Sequence, residues 1–208
     1  MQFATLAGSG LLFMAGSGLL RVTAGGELLV NGTVTFAFGG GTPQVVIEGS
    51  VVKAGSGVCT VASGITSHVS GTATVNAGAL HLLGAGSHLG EFNVANGATL
   101  RLGSTETLDA GGTITGGTLD LVGGAVQING ALDVDTLLVS SGVSTISGSV
   151  SAQHVSASAG TMTLNSPLTT ASLSNTGGTL TAATGGTINQ NGSTITGGTI
   201  ATIGTGVF

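Results

Sequence analysis

Few side chains in these 208 residues can do acid–base or metal chemistry, so their types and spacing come first. Asp120, Asp133 and Asp135 are the densest acidic set, with Glu106 and Asp109 upstream. Asp133 and Asp135 share one face of an extended strand by period-two spacing. Paired carboxylates can act as acid and base, or hold Ca²⁺ through oxygen ligands. No Lys or Arg lies nearby in sequence to stabilise developing charge. A solvated strand surface, which discourages edge association, is the role expected of these carboxylates. The histidines are His68, His81, His88 and His154, expected to face outward on strands or at corners. No Cys or Asp spacing around them completes a zinc pattern. Cys59 is the single cysteine, so there is no intrachain disulfide and no multi-cysteine metal site. Within Val58-Cys-Thr-Val61 it is expected to be a buried, inert thiol.

Gly86-Ser-His-Leu-Gly90 puts its serine in the wrong place for a nucleophile elbow. The Gly-Ser-Gly pairs are not followed by Gly-Lys-Ser/Thr and are not phosphate loops. No catalytic residue, metal site or cofactor is expected. Asn31-Gly-Thr33 and Asn191-Gly-Ser193 read as glycosylation sequons at expected corners, with Asn31 and Asn191 as the candidate acceptors. Thr33-Val-Thr35, Thr72-Ala-Thr74, Thr113-Ile-Thr115, Thr161-Met-Thr163 and Thr194-Ile-Thr196 each present two hydroxyls on one face. Threonine is also simply a good strand former on a solvated face.

Composition narrows the function classes. Three basic residues (Arg21, Lys53, Arg101) against eight acidic ones leave a net charge of −5, so the clustered cations that nucleic acid requires are missing. Attachment to anionic lipid fails for the same reason. No apolar run of about eighteen residues escapes interruption by Gly, Ser or Thr. With no Trp, no Tyr and six Phe, the aromatic girdles of a membrane barrel are missing too, and no direct membrane insertion is expected.

The elements that would position these groups follow from a phrase that recurs about every twenty residues. It reads Gly57-Val-Cys-Thr-Val61, Gly78-Ala-Leu-His-Leu82, Gly97-Ala-Thr-Leu-Arg-Leu102, Gly117-Thr-Leu-Asp-Leu121, Gly160-Thr-Met-Thr-Leu164, Gly178-Thr-Leu-Thr-Ala182 and Gly198-Thr-Ile-Ala-Thr-Ile203. One double interval, between Gly117 and Gly160, is filled by Thr136-Leu-Leu-Val139. Such a period means a stack of similar turns, each burying its neighbour's apolar edge. Alternation in Leu119-Asp-Leu121, Val126-Gln-Ile128 and Leu132-Asp-Val-Asp135 has period two, and abundant Gly with β-branched residues opposes helix.

The expected fold is all-β: a single parallel β-helix (β-solenoid), right-handed by analogy with parallel crossovers, with about 20 residues and three short strands per coil. A β-sandwich is the alternative, and it would need longer strands and less regular recurrence. The chain reads as one segment over residues 1–208. Coils over 1–56 are irregular, with a loop near 39–43 leaving the stack, and those over 57–208 are regular. The expected inward residues are Leu80, Leu82, Leu100, Leu102, Leu119, Leu121, Val126, Ile128, Leu180 and Ile200. Gly78, Gly97, Gly117, Gly178 and Gly198 are the expected corner glycines.

Lines such as Gly111-Gly-Thr-Ile-Thr-Gly-Gly-Thr-Leu-Asp-Leu121 and Gly177-Gly-Thr-Leu-Thr-Ala-Ala-Thr-Gly-Gly-Thr-Ile188 resemble the repeats of autotransporter passengers and filamentous-haemagglutinin-like adhesins. The likeness covers residues 57–203. It implies a non-enzymatic extracellular or cell-surface stalk, fibre or adhesin segment. Both ends of the chain stand inside the repeat pattern without a polar cap. Continuation of the same chain or self-association end to end into filaments is therefore the expected partnership, with a surface carbohydrate or protein receptor as a further partner class. Two alternatives stay open. The Thr-X-Thr lines resemble the flat ice-binding faces of β-solenoid antifreeze proteins, provided they stack in register. A polysaccharide-binding or polysaccharide-cleaving β-helix would need Asp120, Asp133 and Asp135 to converge in a groove.

Overall fold

A computed structural model describes residues 3–190 and 197–207. These form a parallel β-solenoid of about ten turns, with no helix among the described residues. The first coil holds β1 (Phe3–Gly16) and β2 (Leu19–Val22), and the second β3 (Glu27–Gly41) and β4 (Gln44–Ile47). The next two have three strands each: β5 (Ser50–Ala54), β6 (Val58–Val61) and β7 (Thr66–Val69), then β8 (Thr72–Val75), β9 (Ala79–Leu82) and β10 (Gly86–His88). Six two-strand coils follow: β11 (Glu91–Gly103) with β12 (Glu106–Leu108), β13 (Thr113–Val122) with β14 (Ala125–Ile128), and β15 (Ala131–Val139) with β16 (Val143–Ile146). The last three are β17 (Val150–Ala157) with β18 (Thr161–Leu164), β19 (Pro167–Asn175) with β20 (Thr179–Ala182), and β21 (Thr187–Gln190) with β22 (Thr199–Thr202).

Three lines per coil are thus present, but two of them fuse. In most coils one bent strand supplies both, so the molecule has a 12-stranded sheet folded along its length and a 10-stranded sheet closing the third side. In β11 the bend falls at Asn96-Gly97, where the pairing with β13 skips from Val94 to Thr99. In β15 and β17 it falls at the single residues Asp135 and Gln153.

Pairing register fixes which repeats lie over one another. Thr118–Leu121 stacks on Thr136–Val139, which stacks on His154–Ala157 and then on Ser172–Asn175. The phrases beginning at Gly160, Gly178 and Gly198 belong to the other sheet, in β18, β20 and β22. The recurring phrase therefore runs down two different faces, changing face after Thr136–Val139. The stretch 39–43 does not leave the stack: Gly41 pairs with Gly16, and Thr42 N–H donates to the Gly16 carbonyl at 2.7 Å.

Alternation sends every second side chain into a narrow axial core. Leu80, Leu82, Leu100, Leu102, Leu119, Leu121, Val126, Ile128 and Leu180 are buried there, while Ile200, near the C-terminal end, is only half-buried against it. Opposite-numbered residues form columns along the axis, such as Leu80, Leu100, Leu119 and Leu137. Cys59 lies in this core as expected, and burial pushes its thiol up to about 11. At the N-terminal end β1 pairs, among the described residues, with β3 alone, and Phe3, Leu11 and Phe13 are exposed.

Close packing at one corner demands glycine. Gly112, Gly130 and Gly148 stack there, and a Cβ on Gly148 would sit 1.7 Å from the Gly130 carbonyl oxygen. Among the expected corner glycines, Gly78, Gly97, Gly117 and Gly198 have positive φ, whereas Gly178 holds its corner with an ordinary φ.

Candidate functional site

The strongest constellation of reactive groups is inside the core. Ser67, His88 and Glu106 come from three successive strands of the smaller sheet, β7, β10 and β12. Within each short strand the inward apolar residue sets the phase: Ser67 stands two before Val69, and Glu106 two before Leu108. Both therefore point inward. His88 takes the position between Val69 and Leu108 in the same inward column. His88 and Glu106 are fully buried, and Ser67 is 1% exposed. This corrects the outward placement expected of His88 and the solvated role expected of Glu106.

Ser67 and Glu106 stand two coils apart, with Gly86 between them in register. Because Gly86 has no side chain, the Glu106 carboxylate occupies the space where its Cβ would project. Ser67 Oγ donates to Glu106 Oε1 at 3.2 Å, across 39 residues of chain. His88 Nε2 and Glu106 Oε2 are 2.8 Å apart. The Val69 N–H donates to His88 Nδ1 at 3.2 Å, which leaves Nε2 as the protonated nitrogen that donates to the carboxylate. Phe92 closes the side, its ring edge-on to His88 with centroids 5.4 Å apart. Burial raises the Glu106 pKa above the ordinary carboxylate range, and the hydrogen bonds from His88 and Ser67 oppose that only in part. The serine hydroxyl meets the carboxylate and not the imidazole, so this is not the relay of a serine hydrolase.

The surface carboxylates do not converge. Asp120 points outward from β13 but is 3% exposed, because Arg101 lies beside it one coil earlier. Arg101 Nε donates to Asp120 Oδ2 at 2.9 Å, and Ser140 Oγ donates to Oδ1 at 2.6 Å. The absence of a nearby cation in the sequence is thus corrected: 19 residues of chain become one coil spacing. Asp133 is on the other limb of the bent sheet, opposite Thr115, and Asp135 at the bend accepts a 3.4 Å hydrogen bond from Gln153. Glu106 is in the core, and Asp109 accepts a hydrogen bond from Ser87. Among the described residues no group of three or more His, Cys, Asp or Glu could hold a metal ion.

His68 and His81 are half-buried and His154 is exposed, pairing with Ser172 at 2.6 Å. The Arg101 cation and burial lower the His81 pKa, burial being the larger effect. Lys53 is also inward, and its Nζ donates to the Ala54 and Gly55 carbonyls at 2.8 Å. Asn31 is exposed within β3, beside the bend at Gly32; Asn191 and Thr194-Ile-Thr196 lie outside the described residues.

The remaining Thr-X-Thr lines lie on different faces. Thr72 and Thr74 are separated from Thr113 and Thr115 by Glu91 and Asn93. One array does stack: Thr161 and Thr163 lie over Thr179 and Thr181, with Thr145 before and Thr199 after them.

Fold and core together define the class: a parallel β-solenoid repeat protein. The chain matches no protein-family model, no curated protein and no solved structure.

Proposed function

We propose that the chain is a non-enzymatic structural segment of an extracellular or cell-surface protein, a stiff stalk or fibre of the kind found in autotransporter passengers and filamentous-haemagglutinin-like adhesins. The observation that carries this reading is the pair of sheets that persist through about ten coils around one apolar core. Every coil adds a set of parallel hydrogen bonds at about 4.8 Å along the axis, and bending the rod would strain many of them at once. Such a rod displays other surfaces at a distance.

End-to-end assembly belongs to the same proposal. The unpaired edge of β1, with Phe3, Leu11 and Phe13 exposed, offers backbone groups and apolar area for another coil. Negative-stain electron microscopy across a concentration series tests it. Filaments lengthening with concentration support a polymer, and isolated short rods support a stalk without end-to-end assembly. Globules without an axis would overturn the structural reading.

The threonine array on β16, β18, β20 and β22 favours a second reading, binding to the ordered surface of ice. A measurable thermal hysteresis that is lost when Thr163 is replaced by Tyr would move the assignment there.

A further inference from the structure

The Ser67–His88–Glu106 cluster is sealed from solvent in the core. We propose that Glu106 is a proton-controlled clasp, which holds three successive coils more tightly when its carboxyl is protonated than when it is ionised.

The geometry supplies both states. In the ionised form Oε1 accepts from Ser67 and Oε2 from His88, leaving a negative charge in an apolar core with two donors. A carboxylate has room for about four such bonds and is costly to bury with fewer. In the protonated form the new O–H on Oε1 donates to Ser67 Oγ, while Oε2 still accepts from His88. The hydrogen-bonded contacts persist and the buried charge vanishes.

Among the described residues no Lys or Arg reaches the site. On β7 the titratable neighbour is His68, which faces outward and exerts a minor pull on the carboxylate. On β10 it is His88, whose Nδ1 is already taken by the Val69 N–H, with Ser87 facing outward to Asp109. On β14, residues Ala125, Val126, Gln127 and Ile128 carry no charge. Across the lumen, Phe92 presents a ring.

The sign follows from the raised folded-state value. Between the unfolded carboxyl's value near 4.5 and the higher folded one, the folded chain keeps a proton that the unfolded chain has released. Glu106's contribution is complete below the unfolded value and is lost as pH rises through the folded one. His81 works the other way: its lowered folded-state value makes acid weaken the fold. The raw slope of stability against pH therefore mixes the two, and a difference between variants isolates Glu106.

Glu106→Gln copies the neutral form, with its amide N–H toward Ser67 and its oxygen toward His88. Urea unfolding of the whole chain from roughly pH 5 to roughly pH 8 is compared for wild type, Glu106→Gln and Glu91→Gln, an exposed carboxylate on β11. The expected result is that the stability of Glu106→Gln relative to wild type increases with pH, by up to about tenfold in the folding equilibrium constant per pH unit between the unfolded and the folded value, and levels off above the folded one. Glu91→Gln reports what removing an exposed carboxylate does by itself. A gap that does not change with pH would overturn the proposal. Should Glu106→Gln fail to fold, the carboxyl carbon resonance of Glu106 in the intact wild type decides. Titration well above the ordinary carboxyl value of 4.5 supports the clasp, and titration at that value overturns it.

Discussion

Val34 finds its partner at Cys59, 25 residues on, whereas Thr136 finds His154 after 18. The early coils spend more chain per turn than the late ones, and their interiors differ accordingly. A longer turn encloses a wider lumen that Val and Leu do not fill. A cavity of about 30 Å³ remains among Leu28, Val30, Phe36, Val45, Val51 and Cys59. The long or polar inward residues Lys53, His88 and Glu106 also fall in this first half. In β15, β17 and β19 one residue makes each bend, the lumen from β15 onward is lined mainly by Leu, Val, Ile and Ala among the described residues, and no Asp, Glu, Lys or Arg follows Asp135. Buried polar groups there are short and mostly turned to the backbone: Thr170 Oγ1 donates to the Ser172 carbonyl at 2.8 Å, and Asn175 Nδ2 to that of Thr199 at 3.0 Å. Ser144 Oγ has no hydrogen-bond partner among the described residues. The ionisable groups of the core thus lie in the first half, and the buried polar groups of the second half are short and uncharged.

The largest expected effect is at the stacked glycine corner, which is tight in both halves: a Cβ would meet a carbonyl oxygen at 2.0 Å on Gly71 and at 1.7 Å on Gly148. Gly148→Ala drives a Cβ into the Gly130 carbonyl and should cost about 3 kcal/mol or more. Gly97→Ala meets nothing within 4 Å and strains only a φ of +79°, so about 1 to 2 kcal/mol is expected. Equal losses in urea unfolding would mean that the corner is looser than described. A smaller and sharper comparison adds one methylene to each half. Val139→Ile, in the filled lumen, should destabilise by about 1 to 3 kcal/mol. Val51→Ile, beside the cavity, should stabilise by about 0.5 to 1 kcal/mol. Two losses of the same size would remove the distinction between wide and narrow coils.

Much of the architecture was legible in the sequence, because a period of about twenty residues and strict alternation are properties of side-chain order. Leu119, Leu121, Val126 and Ile128 declare their direction through their own strands. The phrase Gly-Thr-Leu misled in one respect: it suits two faces equally, so periodicity alone could not reveal that Gly160–Leu164 lies on a different sheet from Gly117–Leu121. The polar cluster left a signal that could have been read. Counting back by two from Leu108 puts Glu106 inward, and the same count from Val69 turns Ser67 inward. At His88 the adjacent Leu89 draws the eye as the core residue, yet it is 58% exposed. The Arg101–Asp120 pair left no such trace, since it depends on a register that only the folded coils define.

The central claim is a single axial stack in which each coil advances by one strand spacing. One outward column of the smaller sheet runs in register from Arg21 through Val46, His68, Ser87, Thr107, Gln127, Thr145, Thr163 and Thr181 to Ala201. Spin labels on cysteines at position 21 paired with 127, 163 or 201 measure that stack directly by dipolar spectroscopy. The buried Cys59 thiol, with its pKa near 11, stays out of the labelling reaction. Separations of about 24, 34 and 43 Å, linear in the number of coils crossed, are the predicted result. Distances that level off, or that fail to rise in that order, would contradict the stack.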